Sequence, residues 1–140
     1  MFENILLAVD GSEHSLHAAR VASALAQAMK SQTLRIVVAF EPIPVHLGEP
    51  FMQETINARL REAEAIAQKA VETVGTISAA IYTDTLEGNP AEVILEVAKS
   101  QNSNVIVMGS RGLGKLAGLL LGSTSQKVVS HALCPVLIVR

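Results

Sequence analysis

Five short runs of consecutive apolar residues alternate along the chain with longer segments whose apolar residues recur at helical spacing. Consecutive apolar residues are typical of strands buried on both faces of a sheet, and the helical spacing is typical of amphipathic helices. The five runs are residues 5–9, 34–40, 77–85, 105–108 and 135–139. Because strands and helices alternate, the pattern predicts a single doubly wound α/β domain over residues 1–140, with a parallel sheet and helices on both faces.

Three of the helical segments begin with residues that are preferred at helix starts. Ser12 precedes the first segment, and Asn89 precedes the third, where Pro90 occupies the first helical position. Glu92 stands three residues after Asn89 and completes a capping-box pattern. Ser123 opens the last segment. We expect the second helix to carry its charged residues mostly on its outer face, namely Arg59, Arg61, Glu62 and Glu64.

The ends of four predicted strands carry residues suited to a binding site. Asp10 follows the first strand, Phe40 ends the second, Gly88 follows the third and Gly109 follows the fourth. Ligands of open parallel sheets bind beyond the carboxyl ends of the strands, so these residues should converge on one rim. Residues 41–50 contain three prolines and form a long connection, which is typical of a lid or binding loop.

Glycines around the last helix indicate a phosphate site. Gly109 and Gly112 follow the fourth strand, and Gly122 and Ser123 come after nine further residues. Glycine lets a backbone approach a ligand closely, and the unpaired N–H groups of a helix start favour an anion. The alternative is a purely structural role for these glycines, because the strand-to-helix connections of α/β proteins are often glycine-rich. The spacing matches neither the Walker loop nor the dinucleotide fingerprint.

Charged residues near this motif leave two interpretations open. Arg111 and Lys115 in the loop, and Lys127 on the helix, either offset phosphate charge or are solvated surface cations. Asp10 either accepts from a ribose hydroxyl and holds Mg²⁺ through water, or it caps the turn that follows it.

Composition and charge exclude several classes of protein. The net charge of −2 argues against general nucleic-acid binding, and no apolar run approaches the roughly 20 residues of a membrane span. The N-terminus lacks the basic flank of a signal peptide, so we expect a cytoplasmic protein. Cys134 is alone and is expected to be buried and inert, and His14 and His17 are expected to be surface residues rather than metal ligands.

The last predicted strand, whose first residue is Pro135 and whose last is Val139, ends one residue before the end of the sequence. As an edge strand it would expose an apolar run that is prone to pair with another chain. Pairing of two copies about a two-fold axis removes that exposed edge. We therefore expect a homodimer through this strand.

The order of short motifs resembles the universal stress protein family over essentially the whole chain. These motifs are Asp-Gly-Ser from Asp10, Gly-x-Pro from Gly88, Val-Met-Gly-Ser around Met108, and the final Cys-Pro-Val-Leu-Ile-Val from Cys134. The resemblance implies a five-stranded parallel sheet of order 3-2-1-4-5 and a homodimer through strand 5. The family's ATP-binding branch carries Gly-x2-Gly-x9-Gly-Ser/Thr, which Gly109, Gly112, Gly122 and Ser123 match.

The resemblance also implies how ATP is held. The backbone N–H groups after Gly109, including that of Arg111, and those from Gly122 through Ser123 to Thr124 would bind the phosphates. Asp10 matches the family's acidic residue near the ribose and phosphates. The backbone of Phe40 would pair with the edge of adenine, and Met108 and Pro42 would line the base pocket.

We therefore expect an ATP-binding stress-response protein that acts as a nucleotide-dependent switch or sensor, with Mg²⁺ accompanying ATP. The alternative is a slow ATPase or a self-phosphorylating enzyme at the same site, with Asp10 and Mg²⁺ and with Ser123 or Ser110 as the acceptor. A phosphorylation-receiver domain is disfavoured, because only Asp10 and Asp84 could supply its acidic residues.

Overall fold

The computed structural model describes residues 1–43, 46, 48–111 and 121–140. Gly112 and Lys115 therefore lie outside the described residues. Strands and helices alternate in the described part of the chain, as predicted. The elements are β1 (Asn4–Ala8), α1 (Glu13–Met29), β2 (Thr33–Phe40), α2 (Phe51–Val74), β3 (Ala80–Glu87), α3 (Pro90–Ser100), β4 (Val105–Gly109), α4 (Ser123–His131) and β5 (Val136–Val139).

The five strands form one parallel sheet in the order β3-β2-β1-β4-β5, which confirms the topology that the family resemblance implied. Side chains of β1 alternate between the two faces of this sheet. Ile5 and Leu7 pack with α1 and α2 on one face, whereas Leu6 and Ala8 pack with α3 and α4 on the other. Ile5, Leu6 and Leu7 are almost fully buried. Each such side chain contributes about 1.5–3 kcal/mol, so β1 is the centre of the hydrophobic core.

The third strand begins later than the sequence indicated. Residues 77–79 precede β3, which runs from Ala80 to Glu87 rather than over 77–85. The reason is its partner: β3 pairs residue for residue with β2, whose first residue, Thr33, lies beside Ala80. Apolar character alone could not reveal where the neighbouring strand begins.

Side chains cap two of the helices as predicted. Ser12 accepts a hydrogen bond from the Ser15 N–H (3.2 Å), and Asn89 accepts one from the Glu92 N–H (3.2 Å). The capping-box prediction is wrong in its second half, because the Glu92 carboxylate forms an exposed ion pair with Lys127 (3.4 Å). No helix in the described ranges is both long enough and apolar enough to cross a membrane.

Helix α1 packs closely against the end of β4, and this contact requires a glycine. A Cβ atom added at Gly109 would lie 2.8 Å from the Cβ atom of His14 and 2.9 Å from its carbonyl carbon. These distances are shorter than packed carbon atoms tolerate. Gly109 is therefore needed for helix packing, a reason that the interpretation of its motif as a phosphate loop did not include.

Candidate functional site

A cleft of about 540 Å³ lies at the carboxyl ends of β1, β2 and β4, bordered by α2 and the start of α4. This position agrees with the convergence expected for the ends of β1, β2 and β4, whereas Gly88, after β3, is not part of the cleft wall. Most predicted nucleotide-binding residues that the structure describes line this cleft, namely Asp10, Phe40, Met108, Gly109, Arg111, Gly122, Ser123 and Thr124, whereas Pro42, expected in the base pocket, is not part of its wall. Their roles in binding stay predictions.

The first turn of α4 has unpaired backbone donors. Gly122 is extended (φ −71°, ψ 166°), and its carbonyl accepts the first hydrogen bond of the helix from the Gln126 N–H (3.0 Å). The N–H groups of Ser123, Thr124 and Ser125 therefore precede the helical hydrogen-bond ladder. Among the described residues no side chain caps this turn, in contrast to α1 and α3. The helix start thus presents its donors and its positive dipole end to the cleft.

Ser110, directly after β4, connects three neighbouring elements. Its N–H donates to the Val139 carbonyl of β5 (2.8 Å), and its hydroxyl is hydrogen-bonded to His14 Nδ1 of α1 (2.9 Å). Its carbonyl accepts from the Gly122 N–H (2.7 Å) and from the Ser125 hydroxyl (2.9 Å). These bonds hold the start of α4 against the sheet.

This network corrects three expectations. The Gly122 N–H is already bonded to Ser110, so it is not one of the phosphate donors in this conformation. Ser110 is 2% exposed and its hydroxyl contacts His14, so it is inaccessible as a phosphate acceptor. His14 is half-buried and bonded rather than a surface residue. Sequence spacing could not reveal this, because the two residues are 96 positions apart.

The end of β2 differs from the expectation for Phe40. The Phe40 carbonyl accepts from the Gly88 N–H (2.9 Å), so its backbone groups point towards β3. Backbone groups alternate in direction along a parallel strand, and the Val37 carbonyl points the other way, to the Val9 N–H (3.1 Å). Ala39 has the orientation of Val37, but β1 has ended beside it. The N–H and C=O of Ala39 therefore face the cleft.

Asp10 forms the predicted turn at the rim of the cleft. Its Oδ1 accepts from the Ser12 N–H (2.9 Å), and its own N–H donates to the Ser15 hydroxyl (3.3 Å). Both interactions hold the carboxylate at the cleft wall. The turn confirms that Asp10 caps the turn after β1, and it is compatible with a role of Asp10 towards ribose and Mg²⁺. Within the described ranges no three potential metal ligands cluster together.

The charged residues around the cleft are partly different from those expected. Lys127 is not part of the wall, and it pairs with Glu92 instead. Arg59 and Glu62 of α2 line the cleft, although the sequence placed them on the outer face of the helix. Helical spacing shows which residues share a face, but it does not show that a cleft opens beside the edge of that face.

Three further residues singled out in the sequence lie away from the cleft wall. Cys134 is half-buried rather than fully buried, and burial raises the pKa of its thiol, which favours the protonated and less reactive form. His17 is exposed, as expected, and its Nδ1 contacts the Arg140 carbonyl. Asp84 lies within β3, where it forms an ion pair with Arg35 (2.8 Å). That position does not suit the receiver-domain alternative.

A doubly wound α/β domain with its cleft at the strand carboxyl ends is the class that the fold and site define. The family model of the universal stress protein family matches residues 1–140, and the chain belongs to this family. The "Universal stress protein in QAH/OAS sulfhydrylase 3'region" of Thermus aquaticus is 49% identical over 140 residues, which are 100% of both chains.

Solved structures show the same fold. Universal stress protein UspA from Lactobacillus plantarum superimposes with a TM-score of 0.88 at 28% identity, covering 99% of this chain and 98% of the other. A universal stress protein crystallised in complex with cAMP superimposes with a TM-score of 0.69 at 29% identity, covering 99% and 97%. An adenine nucleotide is therefore bound by one relative of this fold.

We predict that Ser125→Ala lowers the free energy of unfolding by about 1–2 kcal/mol, because its buried hydroxyl donates to the Ser110 carbonyl (2.9 Å) and contacts the Gly122 carbonyl (3.0 Å). Ser130→Ala is the matched control, since the Ser130 hydroxyl is exposed and bonds only within α4, to the Gln126 carbonyl. Urea denaturation measures both. Equal midpoints for the two variants would contradict the role given to Ser125.

Proposed function

We propose that this protein binds an adenine nucleotide, ATP in particular, in the cleft at the strand ends, and that occupancy of the cleft serves as a switch or sensor in stress physiology. The observation that carries the proposal is the uncapped first turn of α4, whose free N–H groups border the cleft. The cAMP complex of a relative supports the nucleotide class. The cytoplasmic location expected from the sequence stays a prediction.

The start of α4 suits the phosphates. Backbone N–H groups at a helix start bind phosphate oxygens by charge-assisted hydrogen bonds, each contributing about 1.5–3 kcal/mol. Ser123, Thr124 and Ser125 supply three such donors, and Arg111 adds a cation to the same wall. After the costs of association, such a set supports an affinity near micromolar, about −8 kcal/mol.

The end of β2 suits the base. The Ala39 N–H can donate to N1 of adenine, and the Ala39 carbonyl can accept from its 6-amino group. Guanine presents a hydrogen on N1 and an oxygen at position 6, so the same two backbone groups meet donor with donor and acceptor with acceptor. A mismatched buried polar pair is costly. We therefore assign to Ala39 the adenine contact that the family resemblance suggested for Phe40.

Asp10 suits a supporting role towards Mg²⁺. The ion usually keeps several water ligands and binds through one or two carboxylates together with substrate phosphates. A single carboxylate held at the cleft wall by the Ser12 N–H fits that requirement. When bound with ATP, Mg²⁺ would neutralise phosphate charge. Asp10 would hold its water shell without displacing the turn.

Hydrolysis or self-phosphorylation is the second candidate activity. Ser123 is exposed at the cleft and keeps its place as a candidate acceptor, whereas burial disfavours Ser110. We expect intact ATP to persist over hours with the purified protein and Mg²⁺. Turnover that disappears in Asp10→Ala would support the enzyme instead.

We predict that Ser123→Pro weakens ATP binding about tenfold or more, because proline removes one phosphate donor and fits the first helical position. The extended Gly122 before it is compatible with a following proline. Ser123→Ala is the matched control, since it removes the hydroxyl and keeps the N–H. Isothermal titration with Mg-ATP measures each affinity. Equally tight binding by Ser123→Pro and wild type would overturn the phosphate assignment.

We further propose that two copies pair through β5. This strand bonds to β4 on one side, through groups such as the Pro135 and Val139 carbonyls. The backbone groups of Val136 and Ile138 alternate with these and point outwards, along an edge that no described element covers. Apolar side chains are also exposed nearby, with Leu133 89% and Leu137 38% accessible.

We predict that Leu137→Arg converts a dimer to a monomer, because a two-fold axis at the β5 edge brings the two introduced charges close together. Leu86→Arg is the matched control: Leu86 is 39% exposed on β3, at the opposite edge of the sheet. Sedimentation equilibrium should give twice the chain mass of 14.8 kDa for wild type and control, and 14.8 kDa for Leu137→Arg. A dimeric Leu137→Arg would exclude this interface.

A further inference from the structure

The chain is held from two sides just after it leaves β2. Arg59 of α2 donates from Nη1 to the Glu41 carbonyl (2.9 Å) and to the Pro42 carbonyl (3.2 Å). From the opposite side, Glu87 at the end of β3 accepts from the Ile43 N–H (3.2 Å). Three consecutive residues are thus bound by two charged side chains that belong to different elements.

Arg59 and Glu87 hydrogen-bond to the backbone just beyond the end of β2, where the bonds of the sheet end. The Phe40 carbonyl makes the last bond of β2 to the β3 side, and Pro42 has no N–H with which to continue a ladder. The buried side chain of Ile43 anchors the far end of the segment. Between Phe40 and Ile43, the direction of the backbone therefore depends on Arg59, because charge-assisted bonds to carbonyls are among the stronger hydrogen bonds.

We propose that Arg59 is a positioning residue that sets the base selectivity of the cleft by fixing the segment next to Ala39. This inference rests on the proposed nucleotide binding and adds a determinant of its specificity. Ala39 and Glu41 both line the cleft and lie two residues apart. Arg59 restrains the Glu41 carbonyl, and thereby the orientation in which the Ala39 N–H and C=O meet the edge of a purine.

Arg59 also lines the cleft, so direct contact with phosphate is the competing role. Its two observed partners are carbonyls that follow the strand end where the base is assigned, whereas the phosphate donors belong to α4. The two roles differ in a measurable way. A positioning residue changes the preference between bases, and a phosphate ligand changes the affinity for a triphosphate that has no base.

The test measures the affinities of ATP, GTP and inorganic tripolyphosphate by isothermal titration for wild type, Arg59→Met, Arg59→Lys and Arg61→Met. Methionine keeps an apolar stem and removes the donors, and lysine restores a cationic donor group on one nitrogen atom. Arg61 is the matched control, because it lies on the same helix and bonds to the Asn57 carbonyl of its own helix (3.3 Å). Amide NMR spectra of the nucleotide-free proteins report the backbone of Ala39 and Ile43 directly.

We expect Arg59→Met to reduce the preference for ATP over GTP about tenfold, to shift the Ala39 and Ile43 amides, and to leave tripolyphosphate binding unchanged. Arg59→Lys should recover part of the preference, and Arg61→Met should behave as wild type. An unchanged preference, or an equal loss of tripolyphosphate binding, overturns the inference. Absence of ATP binding by wild type overturns the proposed function itself. In that case the amide shifts alone still decide whether Arg59 orders this segment.

Discussion

The structure of the site depends on the hydrogen bonds around Ser110. This residue follows β4 and binds β5 through its N–H, α1 through its hydroxyl and the start of α4 through its carbonyl. A buried polar residue is stable only when its groups find partners, and here each group has one. Since the partners belong to three elements, the network places the first turn of α4 at a defined position above the sheet.

Helix α4 differs from α1 and α3 in how the backbone donors of its first turn are satisfied. Helices α1 and α3 begin with Ser12 and Asn89, whose side chains satisfy a backbone donor in the first turn. Helix α4 begins with Gly122, which has no side chain to offer, so its donors stay open to the cleft. Glycine at this position, in place of a capping side chain, costs only about a few tenths of a kcal/mol. A nucleotide bound there, as we propose, would offset this cost, so that binding and folding would be linked.

Much of the fold could be predicted from the sequence, because the strands are buried on both faces and the helices have one apolar face. The caps at Ser12 and Asn89 could also be predicted, because N-cap preference depends only on the residues at the helix start. The start of β3, the hydrogen bond of His14 and the hydrogen bonds from Arg59 to the Glu41 and Pro42 carbonyls could not be predicted from the sequence. Each depends on a partner far along the chain: Thr33 for Ala80, Ser110 for His14, and Glu41 for Arg59.

The glycine motif shows what sequence alone can predict and what it cannot. Its spacing located the rim of the cleft, but it did not distinguish the tasks of its members. Gly109 makes room for α1, and Gly122 engages its N–H with Ser110 and leaves the next residues free. Likewise the sequence pointed to the end of β2 at Phe40, whereas the alternation of the ladder turns the backbone groups of Ala39 towards the cleft, so we propose Ala39 for the adenine contact.

The proposed nucleotide binding depends on unpaired amides at the start of α4, and amide NMR during titration with Mg-ATP tests it most directly. We expect saturable shifts that are largest for the Ser123, Thr124 and Ala39 amides, with a smaller change at Gly122, whose N–H is already bonded. Unmoved resonances at the start of α4, with saturable shifts elsewhere or none at all, would contradict the account.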